Sequence, residues 1–328
     1  MKIRRSLVTL LAAAVFGFAG AQELPTVRAA MEAAGTFSWI VHGMDYFGTA
    51  EANGIRVEGT VYASKQATEL ALRGAEADVT VDDFLGSVLL RSRDVAVSGI
   101  YPYAKAVGGL VVPVSSDIDS IDDLRGRTIA AGSLRDKSLL ILRALAVSQY
   151  GFDPQDESEI VAAAPPLMVQ LIADAEVDAA LPFWHFVARM EAAGQAREVM
   201  AVSDMLGALG LPSDLPNLMV LARDDMPAEL KTAFIQTLID TVETMKATPN
   251  DDPFWQSILD LELYSLPDPT AFPQVIDRWR LGTPDGWTEA HIDGLVAMVE
   301  RLVELAGEDV VGVSSVPRDA YTTAFVPQ

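Results

Sequence analysis

Apolar residues along this chain come in short bursts of four to seven, and amphipathic stretches of helical period separate them. Residues 26–31 predict a strand that ends at Glu32-Ala33-Ala34-Gly35-Thr36, and a helix is predicted over 37–52, stopped by Asn53-Gly54. Further strands are predicted at 57–62 and 78–81, with a helix at 67–73 between them. Asp82-Asp83-Phe84 then opens a helix that ends near Arg93. Strand and helix alternating at this spacing imply a parallel sheet with right-handed crossovers. Two apolar strands follow at 95–100 and 108–113, separated by a Tyr101-Pro102-Tyr103-Ala104-Lys105 loop.

The pattern starts again in the stretch 120–152. A short strand at 128–131 is broken by Gly132, and Ser133 stands where a helix N-cap belongs, with Asp136 three residues on as its capping-box partner. No Gly or Pro interrupts residues 134–150, and Gly151 supplies the stop. A strand, a glycine turn and a helix start aim backbone N–H groups and a positive dipole end at one spot, a seat for an anionic or strongly polar ligand. The plainer reading is that Ser133 only caps the helix.

An internal echo supports two similar halves. Ala75-Glu76-Ala77-Asp78 recurs one hundred residues later as Ala175-Glu176-Val177-Asp178, and Thr26-Val27-Arg28-Ala29-Ala30 resembles Thr128-Ile129-Ala130-Ala131. Residues 203–217 read as loop, 218–222 as a strand returning to the first half, and the remainder as helices at 227–246, 253–263, 271–279 and 288–306. In the last, Ile292, Leu295, Val296, Val299, Leu302 and Val303 form an apolar stripe.

The first 21 residues differ in kind. Lys2, Arg4 and Arg5 precede an apolar run to Phe18, and Ala19-Gly20-Ala21 offers a cleavage site before Gln22. This is a secretory leader, expected to use the general export route, and its apolar part is too short for a membrane span. With no cysteine in the chain, neither a lipid anchor nor a disulfide is expected. The formal net charge is −22, and losing the leader's three basic residues takes it to −25. So acidic a chain argues against nucleic acid or anionic membrane as partner, although a local site can still hold a small anion. Its expected place is the periplasm, as a soluble monomer.

Two motifs carry a family resemblance: Ile121-Asp122-Asp123-Leu124-Arg125-Gly126-Arg127-Thr128-Ile129 before the Gly-Ser helix start, and Ile172-Ala173-Asp174-Ala175-Glu176-Val177-Asp178-Ala179-Ala180 before a loop with Trp184. In motif order over residues 24 to 225, the chain resembles periplasmic solute-binding proteins of the taurine/alkanesulfonate and thiamine-pyrimidine-precursor group. The resemblance implies a type 2 periplasmic binding fold: two α/β lobes, a ligand cleft between them, a helical C-terminal tail, and delivery to an ABC transporter permease. The expected division is a leader at 1–21, a first lobe of 22–104 with 205–328, and a second lobe of 105–204.

If strand-end loops converge on the cleft, the candidate ligand residues are Thr36, Phe37, Trp39, Ser64, Lys65, Asp82, Asp83, Ser133, Leu134, Arg135, Phe183 and Trp184. Ser64, Lys65 and Ser133 suit a sulfonate or carboxylate, and the aromatic residues a planar ring or a methylene body. Plain alternatives stand beside these. Lys65, Arg135 and Lys137 also read as solvated side chains, Asp82 or Asp83 as a helix cap, and Trp39 as core. Micromolar binding takes about 8 kcal/mol, whereas a helix terminus contributes about 0.3–1 kcal/mol, so several loops must contribute.

Catalysis has little support. His42, His185 and His291 are scattered, and neither metal-ligand spacing nor a nucleophile or phosphate-loop motif occurs. No cofactor is expected. The expected ligand is a sulfonate or a taurine-like zwitterion; a thiamine-related pyrimidine is the alternative, and an enzyme on the same fold a weaker one.

Overall fold

The computed structural model describes residues 23–105, 108–134, 136–212, 215–266 and 268–327. The expected leader and Arg135 lie outside them. The strands among the described residues are β1 Thr26–Glu32, β2 Arg56–Tyr62, β3 Val79–Asp83, β4 Val97–Ala104, β5 Gly109–Pro113, β6 Thr128–Ala131, β7 Glu159–Ala162, β8 Ala179–Ala180, β9 Ala196–Ala201 and β10 Leu218–Arg223. They form two five-stranded sheets, ordered β2-β1-β3-β10-β4 and β7-β6-β8-β5-β9. The second order repeats the first, with β5 standing where β10 stands.

The repeat keeps the hundred-residue offset between its central parallel strands. Ala29 pairs with Val79 and Ala30 with Thr80, while Ile129 pairs with Ala179 and Ala130 with Ala180. Helices at Phe37–Tyr46 and Lys65–Arg73 in the first half answer to Lys137–Leu145 and Pro165–Ala173 in the second. This register sets Arg28 against Thr128, two residues away from the match the bare sequence suggests.

Strand faces follow the period of two. Val220 and Ala222 join a core beneath the first sheet with Trp39, Phe234, Phe254 and Trp255. Met219 and Leu221 point the other way, into a core shared with Leu110, Val112, Ile129 and Leu181 of the second sheet. Val111, Ala130 and Ala180 close a separate core over Met168 and Ile172. The predicted stripe on helix Glu289–Ala306 is buried at Ile292, Leu295, Val299 and Leu302, and the helix packs against Lys137–Leu145.

Several expectations change, and one is that residues 203–217, read as loop, begin in the helix Val202–Ala208. The sheets are mixed rather than parallel, because β10 runs antiparallel to β3 and β4, and β5 to β8 and β9. The other strands end at the cleft, so a chain that crosses there enters its new sheet from the cleft side and runs backwards. Asp82 and Asp83 complete β3, and the helix expected from them starts only at Gly86 (Gly86–Arg91). Of the loop expected at 101–105, residues 101–104 are the second half of β4, where Pro102 is tolerated because β4 is an edge strand. The long helix expected over 37–52 is Phe37–Tyr46 followed by a short turn Thr49–Ala52.

Candidate functional site

A cavity of about 80 Å³ lies where the ends of β1, β3 and β4 and the start of β10 meet two helix starts of the second sheet. At about 10–15 Å³ per water, it takes some five to eight water-sized groups. The first sheet and its helices line it with Glu32, Thr36, Phe37, Lys65, Asp82, Asp83 and Tyr103, and the second with Lys137, Phe183, Trp184 and His185.

Its acidic wall is organised by Lys65. Ser64 caps the helix Lys65–Arg73, its Oγ accepting from the Ala67 N–H at 3.3 Å, and this places Lys65 as the first helical residue. Lys65 Nζ then lies 2.6 Å from Asp82 Oδ1 and 2.6 Å from Asp83 Oδ2, while its side chain keeps 32% of its surface accessible. The Asp83 N–H donates to Asp82 Oδ1, and the Leu85 N–H to Asp83 Oδ1. The two carboxyls titrate apart. Burial pushes Asp82 up to about 7 against the pull of Lys65, whereas Lys65, Lys137 and the Leu85 N–H outweigh burial and hold Asp83 low. Asp82 Oδ2 is buried without a hydrogen-bond partner. Gly86 allows this packing, since a Cβ there would sit 2.5 Å from that oxygen. Glu32, at the end of β1, is raised by burial, partly offset by Lys137 and Lys65.

The opposite wall carries one cation. Lys137 is the first residue of its helix and 7% exposed. Among the described residues no carboxylate lies within 4.0 Å of its ammonium, which sits 5.6 Å from the Phe183 ring centroid. The helix begins four residues after Ser133 because Asp136, not Ser133, is the N-cap, and its Oδ1 accepts from the N–H groups of Ser138 and Leu139. That carboxylate occupies the helix end the sequence suggested for a ligand anion, so the cation beside it is the feature left to receive one.

Aromatic residues close the cavity. Phe37 meets Tyr103 edge-on at 5.7 Å, and the Thr36 and Tyr103 hydroxyls are 3.1 Å apart. Trp184 meets Trp39 edge-on at 6.2 Å. His185 is 4% exposed, burial lowers its pKa to about 3, and among the described residues neither ring nitrogen makes a hydrogen bond of good geometry. The Ala34 peptide lies beside the ring.

Of the residues proposed from sequence, Thr36, Phe37, Lys65, Asp82, Asp83, Phe183 and Trp184 come together on this cavity. Trp39 stands one layer behind, fully buried, with Nε1 donating to the Leu263 carbonyl. Ser64 is a cap, Ser133 and Leu134 are exposed in the loop before the helix, and Arg135 is outside the described residues. Glu32 and Tyr103 line the cavity from outside the strand-end loops picked out in the sequence, while Lys137 and His185, the last residues of the loops 132–137 and 182–185, line it where Ser133 and Leu134 do not. Glu32 had a usable signal, being a charge at the end of a predicted strand.

A family model described as the periplasmic substrate-binding protein of a phosphonate ABC transporter matches residues 45–263. No curated protein matches the chain. Among solved structures, the alkanesulfonate-binding protein SsuA from Xanthomonas axonopodis pv. citri, bound to MOPS, is similar at 13% identity and a TM-score of 0.70, covering 92% of this chain and 99% of that one. The aliphatic sulphonate binding protein SsuA from Escherichia coli is similar at 15% identity and 0.68, covering 92% of each. The nitrate-binding protein NrtA from Synechocystis PCC 6803 is similar at 14% and 0.62, covering 78% of this chain and 70% of that one. At these identities the likeness is one of fold: two α/β lobes with a helical C-terminal part.

Proposed function

Because the chain belongs to the family of periplasmic substrate-binding proteins of phosphonate ABC transporters, we propose that it captures a small amino-sulfonate or closely similar zwitterion and delivers it to a permease. The observation that carries this reading is Lys137, a buried cation with no ion-pair partner among the described residues, which faces Glu32 and the Lys65-bridged Asp82–Asp83 pair across one small cavity. A buried charge without a counter-ion is costly, and a ligand's acid head beside Lys137 removes that cost. An ammonium end suits the acidic wall. Two lysines against three carboxyls leave little room for a second negative charge, which favours a singly charged sulfonate over a phosphate-type head of about −1.5 to −2.

In this reading the protein is a binding protein and not an enzyme, exported by cleavage after Ala21 and working as a monomer in the periplasm. Residues 22–104 with 205–328 form one lobe and 105–204 the other, closing on the solute about the crossings near 100–110 and 204–218. The test is calorimetry with taurine, 2-aminoethylphosphonate, ethanesulfonate, ethylamine and an aminopyrimidine. Taurine is expected to bind tightest and ethylamine weakest. Binding of the aminopyrimidine alone would replace this reading with one built on Phe37, Tyr103, Phe183 and Trp184 as a stacking platform.

A further inference from the structure

The acid and ammonium ends of such a ligand find partners in Lys137 and in the carboxyl wall, and this leaves His185 unused. The residue is 4% exposed and lines the cavity, and its ring is packed by Trp184 at 5.5 Å, Phe186 at 4.3 Å and Tyr264 at 5.6 Å. Its position is held by its own backbone, whose carbonyl accepts from the Tyr264 hydroxyl at 2.7 Å. Nevertheless, among the described residues neither ring nitrogen makes a hydrogen bond of good geometry, the Ala34 peptide being the polar group beside the ring. A buried polar atom left unpaired costs about 1–3 kcal/mol, and water or a solute in the cavity is what can reach this ring.

We propose that His185 is a specificity-determining residue that takes a hydroxyl of the solute, so that the preferred ligand is a hydroxylated zwitterionic acid. The inference rests on the zwitterion reading above and deepens it. A neutral imidazole offers one N–H donor and one lone pair, and even with one nitrogen turned to the Ala34 peptide the other is left for a ligand. An ammonium could meet only the acceptor nitrogen and an acid oxygen only the donor. A hydroxyl serves either tautomer, since it donates and accepts at one atom. Burial keeps the ring neutral, so it adds no charge to a cavity whose charges are already apportioned.

The experiment compares taurine with its hydroxylated homologue 3-amino-2-hydroxypropanesulfonate, and homotaurine as the length control, on the full-length mature chain and on His185→Phe and His185→Gln. The wild type is expected to prefer the hydroxylated acid over homotaurine by at least roughly tenfold, the scale of one net hydrogen bond. His185→Phe should abolish that preference while still binding homotaurine, and His185→Gln should restore part of it. Equal affinities in the wild type, or an unchanged ratio in His185→Phe, overturn the proposal. Failure of the zwitterion reading looks different, as no binding of any of the three acids. In that case the long-range 1H–15N spectrum of the ligand-free protein still decides: a neutral ring with a nitrogen free of internal hydrogen bonds supports a ligand-facing His185, and internal bonds at both nitrogens overturn it.

Discussion

Asp178 repeats in the second sheet the task of Asp78 in the first: Asp78 accepts the backbone N–H of Arg28 at 2.9 Å, and Asp178 that of Thr128 at 2.8 Å. Each side chain ties the start of one parallel strand to the strand beside it. Each is reached through an alanine at positive φ, 58° at Ala75 and 54° at Ala175. The left-handed region disfavours a Cβ and is open to glycine. Ala75→Gly and Ala175→Gly are therefore expected to stabilise, by about 0.5–1 kcal/mol each, and additively since they lie in different sheets. Thermal unfolding of the two single variants and the double checks this.

Lys137→Met keeps most of the side-chain volume and removes the charge. Affinity for taurine should fall by at least about tenfold, the scale of one charge-assisted contact. The ligand-free protein should melt no lower than the wild type, and above it if desolvation of the ammonium dominates. A lower melting point with unchanged affinity would make Lys137 a structural residue.

Gly86→Ala tests the Asp82 pocket without touching a charge. The new Cβ would sit 2.5 Å from Asp82 Cγ and Oδ2, and Asp82 is held by Lys65 and cannot swing away. A cost of about 1–3 kcal/mol from overpacking is expected, with weakened binding of amines. Calorimetry and chemical denaturation read the two effects separately.

The raised pKa of Asp82 gives a signed pH dependence. With the carboxyl titrating near 7 when folded and near 3.9 when unfolded, the folded state holds the extra proton between those values. The part of the stability that Asp82 governs is present below pH 4 and is lost as pH rises towards 7. Asp83, held low, works oppositely, and its share is lost as pH falls through its folded pKa. An ammonium ligand needs the ionised Asp82, so affinity for taurine should climb from pH 5.5 and level off above about 7. Ethanesulfonate, with no amine, should show no such rise. Asp82→Asn should flatten the taurine curve.

Arg278, on the C-terminal helix Phe272–Gly282, reaches Glu191 at 2.7 Å and Glu198 at 2.7 Å beside the second sheet. That helix packs on Trp184–Ala192, so the pair straps the two halves together. Arg278→Ala should raise the radius of gyration of the ligand-free protein and enlarge its compaction by ligand in small-angle scattering. No change in either quantity would leave the strap without a part in closure.

Much of this was legible in the sequence because it is written locally. Strand–helix alternation, the Ala75–Asp78 echo and the apolar stripe from Ile292 to Val303 are periodic signals, and each leads to the correct element. Ser64, Asp82-Asp83 and Phe183-Trp184 could be placed at strand ends for the same reason. What failed needed a second strand or a competing side chain. Tyr103 was hidden because Pro102 reads as a loop until β4 is known to be an edge. Ser133 lost the cap to Asp136, and with the shift in helix start Lys137 moved from solvent into the cavity. His185 gives no signal by itself, since its unpaired nitrogens exist only once Tyr264 and Trp184 have closed around it.

The place of β10 bears on how the chain folds. It lies between β3 and β4, so the first sheet has a gap at its centre until Leu218–Arg223 is available, more than a hundred residues after β4. No fragment ending before 218 can complete that sheet, and β3 offers an unpaired edge meanwhile. The contact order of the first half is thus set by the second, and loop closure across that span has to precede the contacts that reward it. The second sheet is complete within β5–β9 and needs no later strand, whereas the first cannot close until Leu218–Arg223 arrives.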